Sequence, residues 1–98
     1  LCPFSRACLL RLSEISPSQT ATAAAVLAER IRPICQRQSW WLLGPAPAPV
    51  ARVAGRSRWQ LLLHGPAGSP LPLPPGQALW DGLPKAVALT VDPDPQQL

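Results

Sequence analysis

The segment from Arg56 to His64 (RSRWQLLLH) carries the densest set of side chains able to grip an anion. Strand alternation sends Ser57, Trp59, Leu61 and Leu63 to one face and Arg56, Arg58, Gln60, Leu62 and His64 to the other. The first set is a core face, with Trp59 as core rather than as a stacking surface. The second lines up two guanidiniums and an amide, each about 7 Å from the next. Guanidinium holds phosphate or carboxylate through paired N–H donors, and an amide adds one directed hydrogen bond. Arg52, just upstream, is a third candidate phosphate ligand. The same row could simply solvate the outer face of a strand, so the elements around it decide its meaning.

Charge points the same way. Nine Lys plus Arg stand against five Asp plus Glu, a net +4. No acidic residue lies between Glu29 and Asp81, a stretch that holds Arg30, Arg32, Arg37, Arg52, Arg56 and Arg58. Such a block suits phosphates or carboxylates, although an ordinary basic surface has the same composition. Other chemistries are poorly supplied. Cys2, Cys8 and Cys35 form no C-x-x-C pair, and His64 is the only histidine, too thin a set for zinc. Sparse cysteines fit a reducing cytoplasm. The chain lacks a G-x-x-x-x-G-K-[ST] phosphate loop, a G-x-G-x-x-G turn and a nucleophile elbow. Glu14, Glu29, Asp81, Asp92 and Asp94 show no spacing that pairs carboxylates for acid–base work. No catalysis and no cofactor are expected of this chain by itself. The weakly charged run from Trp59 to Trp80 is broken by Pro66, Pro70, Pro72, Pro74 and Pro75, so no membrane span is expected.

A length of 98 residues suits one domain, residues 1–98. Period-two alternation over residues 4–13 predicts a strand with Cys8, Leu10 and Leu12 inward. Ser16-Pro17-Ser18-Gln19 predicts a capped helix start, and Ala24, Leu27, Ile31 and Ile34 follow near helical spacing. Pro33 is expected to end or kink that helix after Arg32. Residues 40–44 (WWLLG) suggest a buried strand, residues 45–49 an extended connection or edge, and residues 50–53 a resumed edge strand. Residues 65–76 suggest a rigid surface loop, whose PLPLPP run is like a polyproline ligand. A two-turn helix is expected over residues 77–83 and a last strand over residues 86–92, ended by Asp92-Pro93-Asp94-Pro95. This order predicts an α/β, or α+β, sandwich: one long and one short helix on a small mixed or antiparallel sheet.

Two blocks carry a family resemblance. LGPAPAPV at residues 43–50 is followed by GRSRWQLLL at residues 55–63, and the chain closes on VDPDP. Cys2-Pro3-Phe4-Ser5 and Leu27-Ala28-Glu29-Arg30 add to the likeness. Together they resemble the C-terminal domain of the primosomal protein N′ family, the replication-restart DNA helicases. The resemblance runs from about Cys2 to Gln96. It implies a small α/β sandwich similar to a ribosomal-protein fold, with residues 1–5 as the junction from a helicase core. It implies a domain that binds single-stranded and forked DNA in replication restart and primosome assembly. It also implies contact with the helicase core, with other primosome proteins and with the acidic C-terminal tail of single-stranded DNA-binding protein. The residues matching the tail-docking positions are Arg56 and Gln60. ATP, magnesium and zinc would belong to upstream parts of such a helicase. Cys2 stands where the family has Tyr, Pro93 stands where it has an apolar strand residue, and residues 70–75 are proline-rich where relatives extend the second helix. A rival reading makes the domain a brace between helicase lobes, through Trp40, Trp41 and the Pro45–Pro49 segment, without DNA affinity of its own.

Overall fold

A computed structural model describes residues 5–93. Cys2, Asp94 and Pro95 therefore lie outside the described residues. The elements run β1 (Ser5–Glu14), α1 (Pro17–Gln38), β2 (Trp41–Val53), β3 (Arg56–Pro66), a 3-10 turn (Gly76–Leu79) and β4 (Ala88–Pro93). The strands form one antiparallel sheet in the order β2-β3-β1-β4. β1 and β2 are thus parallel to each other with β3 between them, the split β-α-β arrangement. Helix α1 covers one face and packs over β1, β2 and β3. The expected α+β class is the one observed, with an antiparallel rather than a mixed sheet.

The core lies between α1 and the inner face of the two central strands. Cys8, Leu10 and Leu12 of β1 and Leu61 and Leu63 of β3 meet Ala23, Ala24, Leu27, Ala28, Ile31 and Cys35 of α1. Each buried leucine contributes roughly 1.5–3 kcal/mol. The alanines let the helix backbone approach the sheet. Trp59 is partly buried and packs against this cluster, as its alternation requires.

The helix starts as expected. Ser16 Oγ accepts from the Gln19 N–H at 3.3 Å, and Pro17 occupies the first turn, where its missing donor is harmless. The Glu14 carboxylate accepts from the Ser16 N–H at 2.7 Å, which fixes the entry to the helix. Of the two outcomes expected at Pro33, an end is corrected, since α1 continues through it to Gln38. Pro33 lies on the exposed side, so the carbonyl it cannot serve faces water. Ile31 and Cys35, on either side of it, are buried and hold the helix down.

β2 corrects a second expectation. Residues 41–53 form one strand rather than two, with register shifts between Leu43 and Ala46 and between Pro47 and Arg52. As an edge strand it tolerates its prolines. WWLLG is not a buried strand: Trp40 is 5% exposed, while Trp41 is 69% exposed. The Trp40 indole lies against Gly65 and donates through Nε1 to Ser69 Oγ at 3.0 Å. The β2–β3 turn is Ala54-Gly55, with φ of 53° and 77°. Both residues are left-handed, as a type I′ turn demands, yet alanine pays a steric cost there.

The second helix is only the turn at Gly76–Leu79. The chain turns left-handed at Gly82, with φ of 82°, and Arg30 Nη1 donates to the carbonyls of Ala78 at 3.1 Å and Leu79 at 3.3 Å that the ended turn leaves open. Residues 70–75 are also less superficial than expected. Pro72 is fully buried, and Leu71 and Leu73 pack against the core, so this run covers the core and is poorly placed to serve as a polyproline ligand.

Two stability outcomes follow. A Cβ at Gly65 would run into the Trp40 ring. Gly65→Ala is expected to lower unfolding stability by about 1–3 kcal/mol, through overpacking. Ala54→Asn is expected to raise it by about 0.5–1 kcal/mol, because Asn accepts the left-handed turn conformation. Urea unfolding of both variants checks the two signs.

Candidate anion-binding sheet face

The sheet face turned away from α1 carries polar side chains from β3, β1 and β4, bordered by apolar residues of β2. On β3 these are Arg56, Arg58, Gln60 and His64, with Leu62 among them. The β1 partners are Ser13 opposite Arg58, Arg11 opposite Gln60, Leu9 opposite Leu62 and Ala7 opposite His64. On the other side, Val53 faces Arg56, Ala46 faces Gln60, Leu43 faces Leu62 and Trp41 faces His64. From β4 come Thr90 opposite Arg11 and Asp92 opposite Leu9. Asp92 is the only acidic side chain that this register brings to the face among the described residues.

Arg56 is held firmly. Its Nε donates to Ser13 Oγ at 3.2 Å, and its Nη2 donates to the carbonyls of Ser13 at 2.9 Å and Ala86 at 3.4 Å. Nη1 takes no part in these bonds. Arg58 reaches the other way, donating from Nη1 to the Val50 carbonyl at 3.2 Å. Between them lies a recess of about 220 Å³ lined by Ser13, Val53, Ala54, Arg56 and Arg58. The bonds to β1, β2 and the β4 approach keep both guanidiniums in place before any ligand arrives. An oxyanion in the recess would meet ordered donors, which lowers the entropy lost on binding.

The structure brings Arg56, Arg58 and Gln60 onto one face, as the alternation predicted. Arg52 does not join them. It pairs with Ser57, whose side chain faces the helix layer, so Arg52 sits on the opposite side of the ladder. The six-arginine block is also dispersed. Arg30 is tied to the 3-10 turn, and Arg32 forms an ion pair with Glu29 at 3.2 Å on the helix surface. Arg11 was not singled out in sequence and does belong to the face, exposed beside Gln60. Its place with Leu9 and Ser13 on the face opposite Cys8, Leu10 and Leu12 is visible in the alternation, but only the β1–β3 register places it next to the RSRWQ row.

The buried thiols play no part in this face. Cys8 and Cys35 lie in the core. Burial pushes the Cys35 thiol up, with the nearby Arg32 charge opposing it. No group of three or more metal-ligating side chains occurs among the described residues. No helix among them is long and apolar enough to cross a membrane.

Fold and face together define a small α+β module: a helix on one side of an antiparallel sheet and a basic, partly recessed surface on the other. The sequence model of the primosomal protein N C-terminal domain matches residues 1–96. The replication restart protein PriA of Synechocystis sp. is 36% identical over 96 residues, which is 95% of this chain and 11% of that protein. This chain therefore belongs to the primosomal protein N C-terminal domain family, and it spans about a tenth of the length of that curated relative.

The two arginines separate by role. Arg56→Ala breaks three bonds that join β3 to β1 and to the residues before β4, and is expected to cost about 1–2 kcal/mol of stability. Arg58→Ala loses one exposed bond and is expected to cost under about 0.5 kcal/mol. Thermal unfolding of the pair measures this difference, and equal losses would contradict the anchoring assigned to Arg56.

Proposed function

We propose that this chain is a DNA-binding and partner-docking C-terminal domain of a cytoplasmic, ATP-dependent replication-restart helicase. It would act in primosome assembly at stalled forks. Family membership supports the setting. The observation that carries the binding role is the shared sheet face of Arg11, Arg56, Arg58 and Gln60, opposed by Asp92 alone among the described acidic residues. Phosphates of a single strand or a fork would pair with Arg11 and Arg58 and enter the recess beside Arg56. The acidic tail of single-stranded DNA-binding protein presents carboxylates to the same donors, so Arg56 and Gln60 would dock it, with Gln60 supplying a directed hydrogen bond. Catalysis, with its ATP, magnesium and zinc, is assigned to other parts of the helicase.

The second reading, a brace between helicase lobes, is favoured by the apolar edge of β2. Trp41, Leu43, Val50 and Val53 are all exposed there. Trp40 is lost to that reading, since it is buried against Gly65.

Anisotropy titration of labelled single-stranded and forked DNA at several salt concentrations separates the two. Three neutralised phosphates give a slope of log K against log salt of roughly −2 for single strands. The Arg11→Glu/Arg58→Glu variant, which spares the anchored Arg56, is expected to lose this binding. Absence of binding by the folded wild-type chain at low salt would leave the brace.

A further inference from the structure

We infer that Trp41 and His64 form a stacking platform for the bases of single-stranded nucleic acid, at the end of the sheet face away from the arginine recess. This rests on the DNA-binding reading above and adds to it a second kind of contact, made to bases rather than to phosphates.

The two adjacent tryptophans part at the start of β2, Trp40 just before the strand and Trp41 as its first residue. Trp40 turns into the core, whereas Trp41 is 69% exposed, more than any other large apolar residue described. Trp41 is the direct antiparallel partner of His64, which is also exposed. Directly opposed residues hold their Cβ atoms about 4.5–5.5 Å apart, so indole and imidazole are neighbours on one surface. Ala7 and Leu9, the β1 partners beside His64 and Leu62 on the same face, are buried, so the open surface at this end lies on β2 and β3. From His64 the row runs along β3 through Leu62 and Gln60 to Arg58, a span of about 20 Å.

The chemistry of that row selects its occupant. One end offers flat aromatic surface beside exposed Leu43. The other offers the guanidiniums of Arg11, Arg58 and Arg56. A ligand that fits both must join apolar planes to repeated negative charge along one extended chain. Single-stranded nucleic acid has this construction, with bases that stack on aromatic side chains and phosphates that pair with cations. Four-stranded sheets with aromatic residues on their open face bind single strands in this manner. A duplex keeps its base faces stacked inside, so the platform would favour single-stranded regions, while the arginines act on either form.

The test compares two labelled strands of equal length and charge, oligothymidine and a fully abasic strand, titrated against the 98-residue chain. Wild type is expected to bind oligothymidine roughly 5- to 150-fold more tightly than the abasic strand, the range for one stacked base. Trp41→Ala is expected to remove that preference with the salt slope unchanged, and Trp41→Phe to restore part of it. Arg11→Glu/Arg58→Glu is expected to weaken both strands together. Equal wild-type affinity for the two strands overturns the platform while leaving the phosphate contact in place. A Trp41→Ala variant that keeps the preference also overturns it and assigns Trp41 to a protein contact. Failure of the wild type to bind either strand overturns both readings.

Discussion

The ladder between β1 and β3 governs the rest of the molecule. Ten consecutive residue pairs, from Ser5–Pro66 to Glu14–Ser57, stay in register without a bulge. Side chains in a strand alternate with period two, so this register settles which residues meet α1 and which face outward. It places Leu10 beside Leu61 and Leu12 beside Trp59 on the inner face. It places Arg11 beside Gln60 and Ser13 beside Arg58 on the outer one. A slip of one residue would drive the guanidiniums under the helix and expose the leucines. The cost of burying unpaired charge makes that arrangement inaccessible. Core packing and the polar face are thus two outcomes of one pairing.

The arginines of the outer face illustrate a division of labour. Arg56 donates to the hydroxyl and carbonyl of Ser13 on β1 and to the Ala86 carbonyl, and so ties the turn before β4 to the central strands. Arg58 is attached by one bond to Val50, and Arg11 is exposed. A cation that is both a strut and a binding group is more ordered than a free surface arginine. Its ligand then loses less freedom on binding, but its loss would be felt in stability as well as in recognition. The six arginines that share one acid-free stretch of sequence do not act as one patch, because α1 and the sheet carry them to different faces.

Much of this was legible from residue order. The alternation in β1 and β3, the Ser16-Pro17 helix start and the α+β class all follow from local pattern. The match of LGPAPAPV and GRSRWQLLL to the family also stood in the sequence before any coordinates. What escaped depends on neighbours distant in the chain. Pro33 breaks helices on average, but the burial of Ile31 and Cys35 outweighs one missing bond on the wet side. Trp41 reads like Trp40 until β2 is known to be an edge strand. The expected helix over residues 77–83 stops short of the left-handed Gly82, and Arg30, some fifty positions earlier, donates to the carbonyls left open. Arg11 joins the candidate site, and Arg52 leaves it, solely through pairing register.

The prolines of β2 have a consequence for how the domain behaves in company. An edge strand normally offers a row of unpaired N–H groups to any passing strand, which is how sheets grow between molecules. Proline is accommodated in a sheet where its missing donor would point away from the neighbouring strand. Pro45, Pro47 and Pro49 each lack an N–H, and β3 occupies the inner side of β2. The strand therefore has fewer donors to offer a passing strand than an ordinary edge of its length. Exposed apolar side chains on that strand can then be kept for a chosen ligand without inviting self-association and fibrous aggregation.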